Sequence, residues 1–111
     1  MGDGVKLSIS QFETLQALIY LYVGLEHNEA AERGLKAILA IDPANEWALA
    51  MQAIVADSKG EYEAVIRFTD NLEPYDSEKK KALSFLRARA FMKLGDEVKA
   101  RECLELNVVK E

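Results

Sequence analysis

This 111-residue chain has a single cysteine, a single histidine and only two prolines. A lone cysteine can form no internal disulfide, which fits a reducing compartment. One cysteine and one histidine cannot assemble a closed structural zinc site, so no metal and no cofactor is expected. Pro43 and Pro74 both fall between apolar-periodic segments and never inside one. No uninterrupted apolar stretch approaches the roughly 20 residues of a membrane helix. Nor does a basic-then-apolar leader open the chain, so the expected location is the cytoplasm, without membrane insertion. Basic residues are in the minority, and the net charge of −5 comes without a basic face. That argues against nucleic acid, whose phosphates need Lys and Arg to replace counterions. The run Lys79-Lys80-Lys81, beside Glu78, reads as a solvated face.

Catalytic signatures are missing as well. No glycine-rich turn follows a strand, so there is no phosphate cradle. His27 sits in an expected turn and reads as structural or merely exposed. Cys103 reads as a small packing residue rather than a reactive thiol. Glu29/Glu32, Glu61/Glu63 and Glu102/Glu105 look like solvated helix faces, not the enclosed carboxylate pair that acid–base catalysis requires. Lys6 breaks the myristoylation pattern. No enzyme is expected.

What the chain does have is helical periodicity. Half of its residues are apolar and 30% charged, the balance of a folded protein. Phe12, Leu15, Leu18, Ile19, Tyr22 and Leu25 share one helical face. Ser10 and Glu13 have the form of a capping box at its start. Asn28 can cap a second helix with Ala31, Leu35, Ile38 and Leu39 on one face, closed by Asp42-Pro43. Further helices are expected over about 45–59 and 61–72, then from the caps Asp76-Ser77 to Leu94. Gly95 gives a left-handed stop and Asp96 the cap of a sixth helix, ending near Asn107. Connections this short make neighbours antiparallel. No segment alternates like a half-buried strand, so the fold class is all-α.

The helices repeat. Each second helix carries an alanine with a large apolar residue four positions on: Ala31/Leu35, Ala64/Phe68 and Ala100/Leu104. Gly60-Glu61-Tyr62 and Gly95-Asp96-Glu97 open two of the copies, and Glu26-His27-Asn28 fills that slot in the first. Leu15, Leu18, Tyr22, Ala31, Leu35 and Pro43 resemble the tetratricopeptide pattern, with Leu15 for tryptophan and Ile19 for glycine. In the second copy two alignments differ by one residue. In the fifth helix the unshifted alignment puts Ser84 and Arg87 where apolar groups belong, and the shifted one presents Leu83 and Leu86. The expectation is a segment of residues 1–9 that is disordered or partly ordered, then one domain over 10–107. Its repeats run over about 12–44, 45–76 and 77–107, three hairpins stacked as a short right-handed superhelix.

That resemblance implies a concave groove lined by the first helix of each pair. The family's groove positions fall on Glu13, Gln16, Tyr20 and Val23, on Trp47, Ala50, Ile54 and Asp57, and on Ala82, Phe85, Arg89 and Met92. Such a floor is largely apolar and suits a partner helix or an extended segment. The competing reading has Trp47 and Phe85 sealing repeat interfaces. The clamp for acidic heat-shock C-termini is disfavoured, because Gln16, Tyr20, Ala82 and Leu86 stand at its polar positions and leave Arg89 alone.

"QFETLQALIYLYVG", "NEAAERGLKAILAIDP" and "KLGDEVKARECLEL", between Ser10 and Leu106, resemble the small tetratricopeptide chaperones of bacterial type III secretion, particularly the SctY (YscY) kind. The resemblance implies a partner of the small secreted SctX kind, shielded in the bacterial cytoplasm before export. A needle-subunit chaperone is the related possibility. The alternative class is a generic adaptor or oligomerising scaffold, in which a homodimer covers an uncapped end face.

Overall fold

The structure, a computed structural model, describes residues 8–74 and 76–105. The described residues form an all-α fold: α1 (Ile9–Gly24), α2 (Asn28–Ile41), α3 (Glu46–Ser58), α4 (Tyr62–Thr69), α5 (Ser77–Lys93) and α6 (Glu97–Glu105). The chain divides into two compact units, Met1–Met51 and Gln52–Glu111, with the division inside α3.

In the first unit, α1 opens on a reciprocal cap. Ser8 Oγ accepts the Gln11 N–H at 3.0 Å, and Gln11 Oε1 accepts the Ser8 N–H at 3.0 Å. Both bonds satisfy donors that a helix start leaves unpaired. The capping box therefore lies two residues before the expected Ser10/Glu13, because Ser8 and Gln11 have the same spacing and add helix upstream. Ser8 and Ile9, expected within the irregular segment 1–9, belong to this helix start; residues 1–7 lie outside the described residues. At α2 the N-cap is His27, not Asn28, and it makes no side-chain cap bond. Its ring stands 6.3 Å from that of Tyr22.

α1 packs on α2 through one knob. Ile19 is buried, along with Ala31, Leu35 and Ile38. A Cβ at Gly34 would lie 2.8 Å from both Ile19 Cγ1 and Cδ1. Isoleucine projects from α1 into the space that glycine leaves open on α2. Asn45 then caps α3, its Oδ1 accepting the Ala48 N–H at 2.8 Å, and its Nδ2 donates to Asp42 Oδ2 at 3.3 Å.

The second unit is built on Ala53, Ala56, Val65 and Ala90, with Tyr62, Ala64, Ile66, Phe68 and Leu86 packed around them. Small residues on α3 and α5 let helices approach closely. On α4 the fully buried pair is Val65 and Thr69, one residue on from Ala64/Phe68. On α6, Ala100 is buried as expected, but Cys103 fills the interior and Leu104 is 40% exposed. α4 ends at Thr69, short of the expected Leu72, and a polar cluster gathers at that end. Thr69 Oγ1 donates to Val65 O at 2.7 Å. Arg87 Nη1 donates to Thr69 Oγ1 at 2.7 Å and to Ile66 O at 3.3 Å, and pairs with Asp70 Oδ1 at 3.2 Å. A cation thus meets the carbonyl end of α4, where the helix dipole favours it. Arg87 points inward as a pin, beside the inward Leu86 of the shifted alignment.

One turn occurs three times. Glu26, Gly60 and Gly95 adopt φ of 60°, 76° and 86°, at positions 34 and then 35 residues apart. In each, the next N–H reaches back to the helix: His27 to Tyr22 O at 2.9 Å, Glu61 to Ala56 O at 2.8 Å and Asp96 to Phe91 O at 2.8 Å. The left-handed residue itself donates to Val23 O, Asp57 O or Met92 O, each at 3.0 Å. This is a Schellman stop, which satisfies helix-end carbonyls while the chain reverses. Among the described residues no helix is long and apolar enough to cross a membrane.

Candidate functional site

In the first unit, the burial of Ile19 fixes which sides of α1 remain outside. Tyr20, the next residue, is 70% exposed, whereas Gln16 and Val23 are half-buried. Trp47 and Ala50, on the N-terminal half of α3, are half-buried too. The Trp47 ring meets Phe12 edge-on, with centroids 6.5 Å apart and planes at 74°. Part of the indole is therefore committed to packing α3 against α1. Gln16 lines an open cleft of about 520 Å³ together with Phe12, Glu13, Ile38, Ile41 and Asn45.

In the second unit, Phe85, Arg89 and Met92 follow one another at i, i+4 and i+7 and so share a face of α5. Phe85 is 62% and Met92 54% exposed. Ile54, at 41%, and the half-buried Asp57 stand one turn apart on the C-terminal half of α3. Arg89 Nε donates to Asp57 Oδ1 at 2.9 Å. That hydrogen bond, with the carboxylate's charge, holds the Arg89 pKa above its ordinary value. The cation expected to meet a partner is thus already answered inside the chain. It ties α3 to α5 and leaves the apolar neighbours as the open part of this face. Ala82, at the start of the same helix, is exposed.

Other reactive groups lie apart from these faces. His27 is exposed in the α1–α2 turn. Cys103 is a buried free thiol on a cavity of about 490 Å³ that it shares with Thr69, Asp70, Lys80, Ser84 and Arg87. Among the described residues no three His, Cys, Asp or Glu side chains cluster as a metal site would require.

One exposed feature was missed by the groove positions. Leu18, Leu21 and Leu25 are 43%, 55% and 56% exposed along α1 and its C-cap. The signal lay in the composition of that helix, where Glu13 is the sole charged residue among sixteen. No family model, curated protein or solved structure matches the chain.

Proposed function

We propose that the chain is a non-catalytic protein-binding module: a chaperone that holds a helical segment of a protein partner against its exposed apolar side chains. The observation that carries this reading is the exposure of Tyr20, Phe85 and Met92 on helices whose other sides are anchored. Ala88 and Ala90 are buried on α5 and Arg87 pins it, so Phe85 and Met92 project from a firm support. Fully covering one such side chain contributes roughly 1.5–3 kcal/mol. A few of them offset the cost of association.

The resemblance to SctY-type chaperones gives this reading its biological form. The chain would be a stack of tetratricopeptide hairpins in the bacterial cytoplasm. Its partner would be a small secreted component of a type III apparatus, of the SctX kind, with a needle subunit second. An oligomerising scaffold is favoured by one observation, the 63% exposure of Val98 on the last described helix.

The test is co-expression with a tagged secreted component of the SctX kind, followed by pull-down. Tyr20→Ala and Phe85→Ala should each reduce capture with unchanged circular dichroism. Wild-type recovery by both variants would refute the reading.

A further inference from the structure

We infer that the open cleft between the start of α1 and the end of α2 takes a Lys or Arg side chain of the polypeptide partner, an assignment that rests on the protein-binding reading above. The cleft, of about 520 Å³, has an apolar wall made by Ile9, Phe12, Ile38 and Ile41. Ile9 is 78% and Ile41 41% exposed, so nothing among the described residues closes that wall off. Two carboxylates, Glu13 and Asp42, line the same cleft, and both are exposed. Asp42 Oδ2 accepts only the neutral Asn45 amide, at 3.3 Å. Among the described residues neither carboxylate is paired with a cation.

Charge on the cleft itself selects the occupant. No Lys or Arg is among its described lining residues. Residues 8–51 contain two cations, Arg33 and Lys36, and both lie on the far side of α2, about 140–160° round from Ile38. The start of α1 and the end of α2 meet at the cleft, so their opposed dipoles offset and the side chains set the field. A long basic side chain suits both parts of the lining: its methylene stem lies on Phe12 and the isoleucines while its charged head stays at the wet carboxylates. A neutral apolar side chain would cover the wall but gain nothing from Glu13 and Asp42, and an acidic one would be repelled. A second copy would approach this acidic cleft with a net charge of −5. Tyr20 stands on the same side of α1, one turn beyond Gln16 of the cleft, so a partner helix laid along α1 reaches both.

The test titrates the full chain into two fluorescein-labelled helical peptides of one sequence, read by anisotropy. Both carry leucines at i and i+4 on one face. At i+7 one has lysine and the other norleucine, which keeps the stem and drops the charge. The lysine peptide should bind about five-fold or more tighter, a gap that narrows with salt. The double variant Glu13→Gln with Asp42→Asn should erase that preference while norleucine-peptide binding stays within about two-fold, which also shows the fold intact. Ile9→Ser should weaken both peptides alike, since it removes exposed apolar wall and no core. Equal affinities in the wild type, or a preference that survives the double variant, would overturn the inference and leave the protein-binding reading standing. Binding of neither peptide would overturn both. Two other occupants have signatures of their own, and either would overturn the inference. A several-fold gain in lysine-peptide affinity on Lys6→Gln would give the cleft to the chain's own first residues. A wild-type dimer in sedimentation that Ile9→Ser converts to monomer would give it to a second copy.

Discussion

Ile19 and Gly34 form a pair whose energetics depend on both members. Gly34 sits inside α2, where alanine would gain up to about 1 kcal/mol of helix propensity. Its Cβ would, however, fall 2.8 Å from two Ile19 atoms, so the isoleucine must shift or leave its rotamer. Overpacking of this kind costs about 1–3 kcal/mol, and Gly34→Ala should be destabilising in the wild type. Ile19→Ala removes a fully buried side chain and should cost about 2–5 kcal/mol. In that background the clash is gone, and Gly34→Ala should become stabilising by up to about 1 kcal/mol. Denaturant unfolding of the four proteins reads the change of sign; equal effects in both backgrounds would dissolve the pair. Ile19 was legible in the sequence as an inward residue and as a departure from the repeat pattern. That Gly34 was its answer was not legible, because the two are fifteen positions apart and only packing shows which turn of α2 faces which turn of α1.

At the scale of elements, the turns and the α4–α5 pin behave differently. The left-handed residue of the Schellman stop is glycine in two hairpins and Glu26 in the first. A side chain there meets steric resistance of about 1–2 kcal/mol, part of which glycine's greater unfolded-state freedom offsets. Glu26→Gly should therefore stabilise the protein by about 0.5–1 kcal/mol, raising the melting temperature by a few degrees, and Gly60→Ala and Gly95→Ala should lower it. The two glycines announced their turns in the sequence, whereas Glu26 only filled the matching slot of the expected repeat. Arg87 was the opposite case. A charged residue at an apolar repeat position looked like a misalignment, but it donates to Thr69 Oγ1 and Ile66 O at the end of α4. Arg87→Met should cost about 1–3 kcal/mol, because it strips donors from groups that fold away from water. Combined with Thr69→Val, the loss should be smaller than the sum, since each change removes the same hydrogen bond. Additive losses in chemical denaturation would mean the pin does not join the two helices.

Across the described residues, the six helices and the breaks at proline were written in periodicity, which depends only on local burial. The use of the exposed faces was less legible, because exposure depends on what neighbouring helices already cover. Trp47 illustrates this: it stood among the groove candidates, yet Phe12 takes one edge of its ring. Trp47→Ala would mix lost packing with lost binding, so Tyr20 and Phe85 are the cleaner probes of function. They lie in different compact units, which makes their combination informative. If one partner helix covers both, each alanine variant should weaken capture about ten-fold or more, and the double variant should approach the product of the two losses. Stoichiometry measured by titration calorimetry should then be one partner per chain. If each unit holds its own ligand, calorimetry of the wild type should give two partners per chain, and each single variant should abolish one site while sparing the other. A partner whose affinity ignores both substitutions binds through neither face, and the chaperone reading would fall with that result.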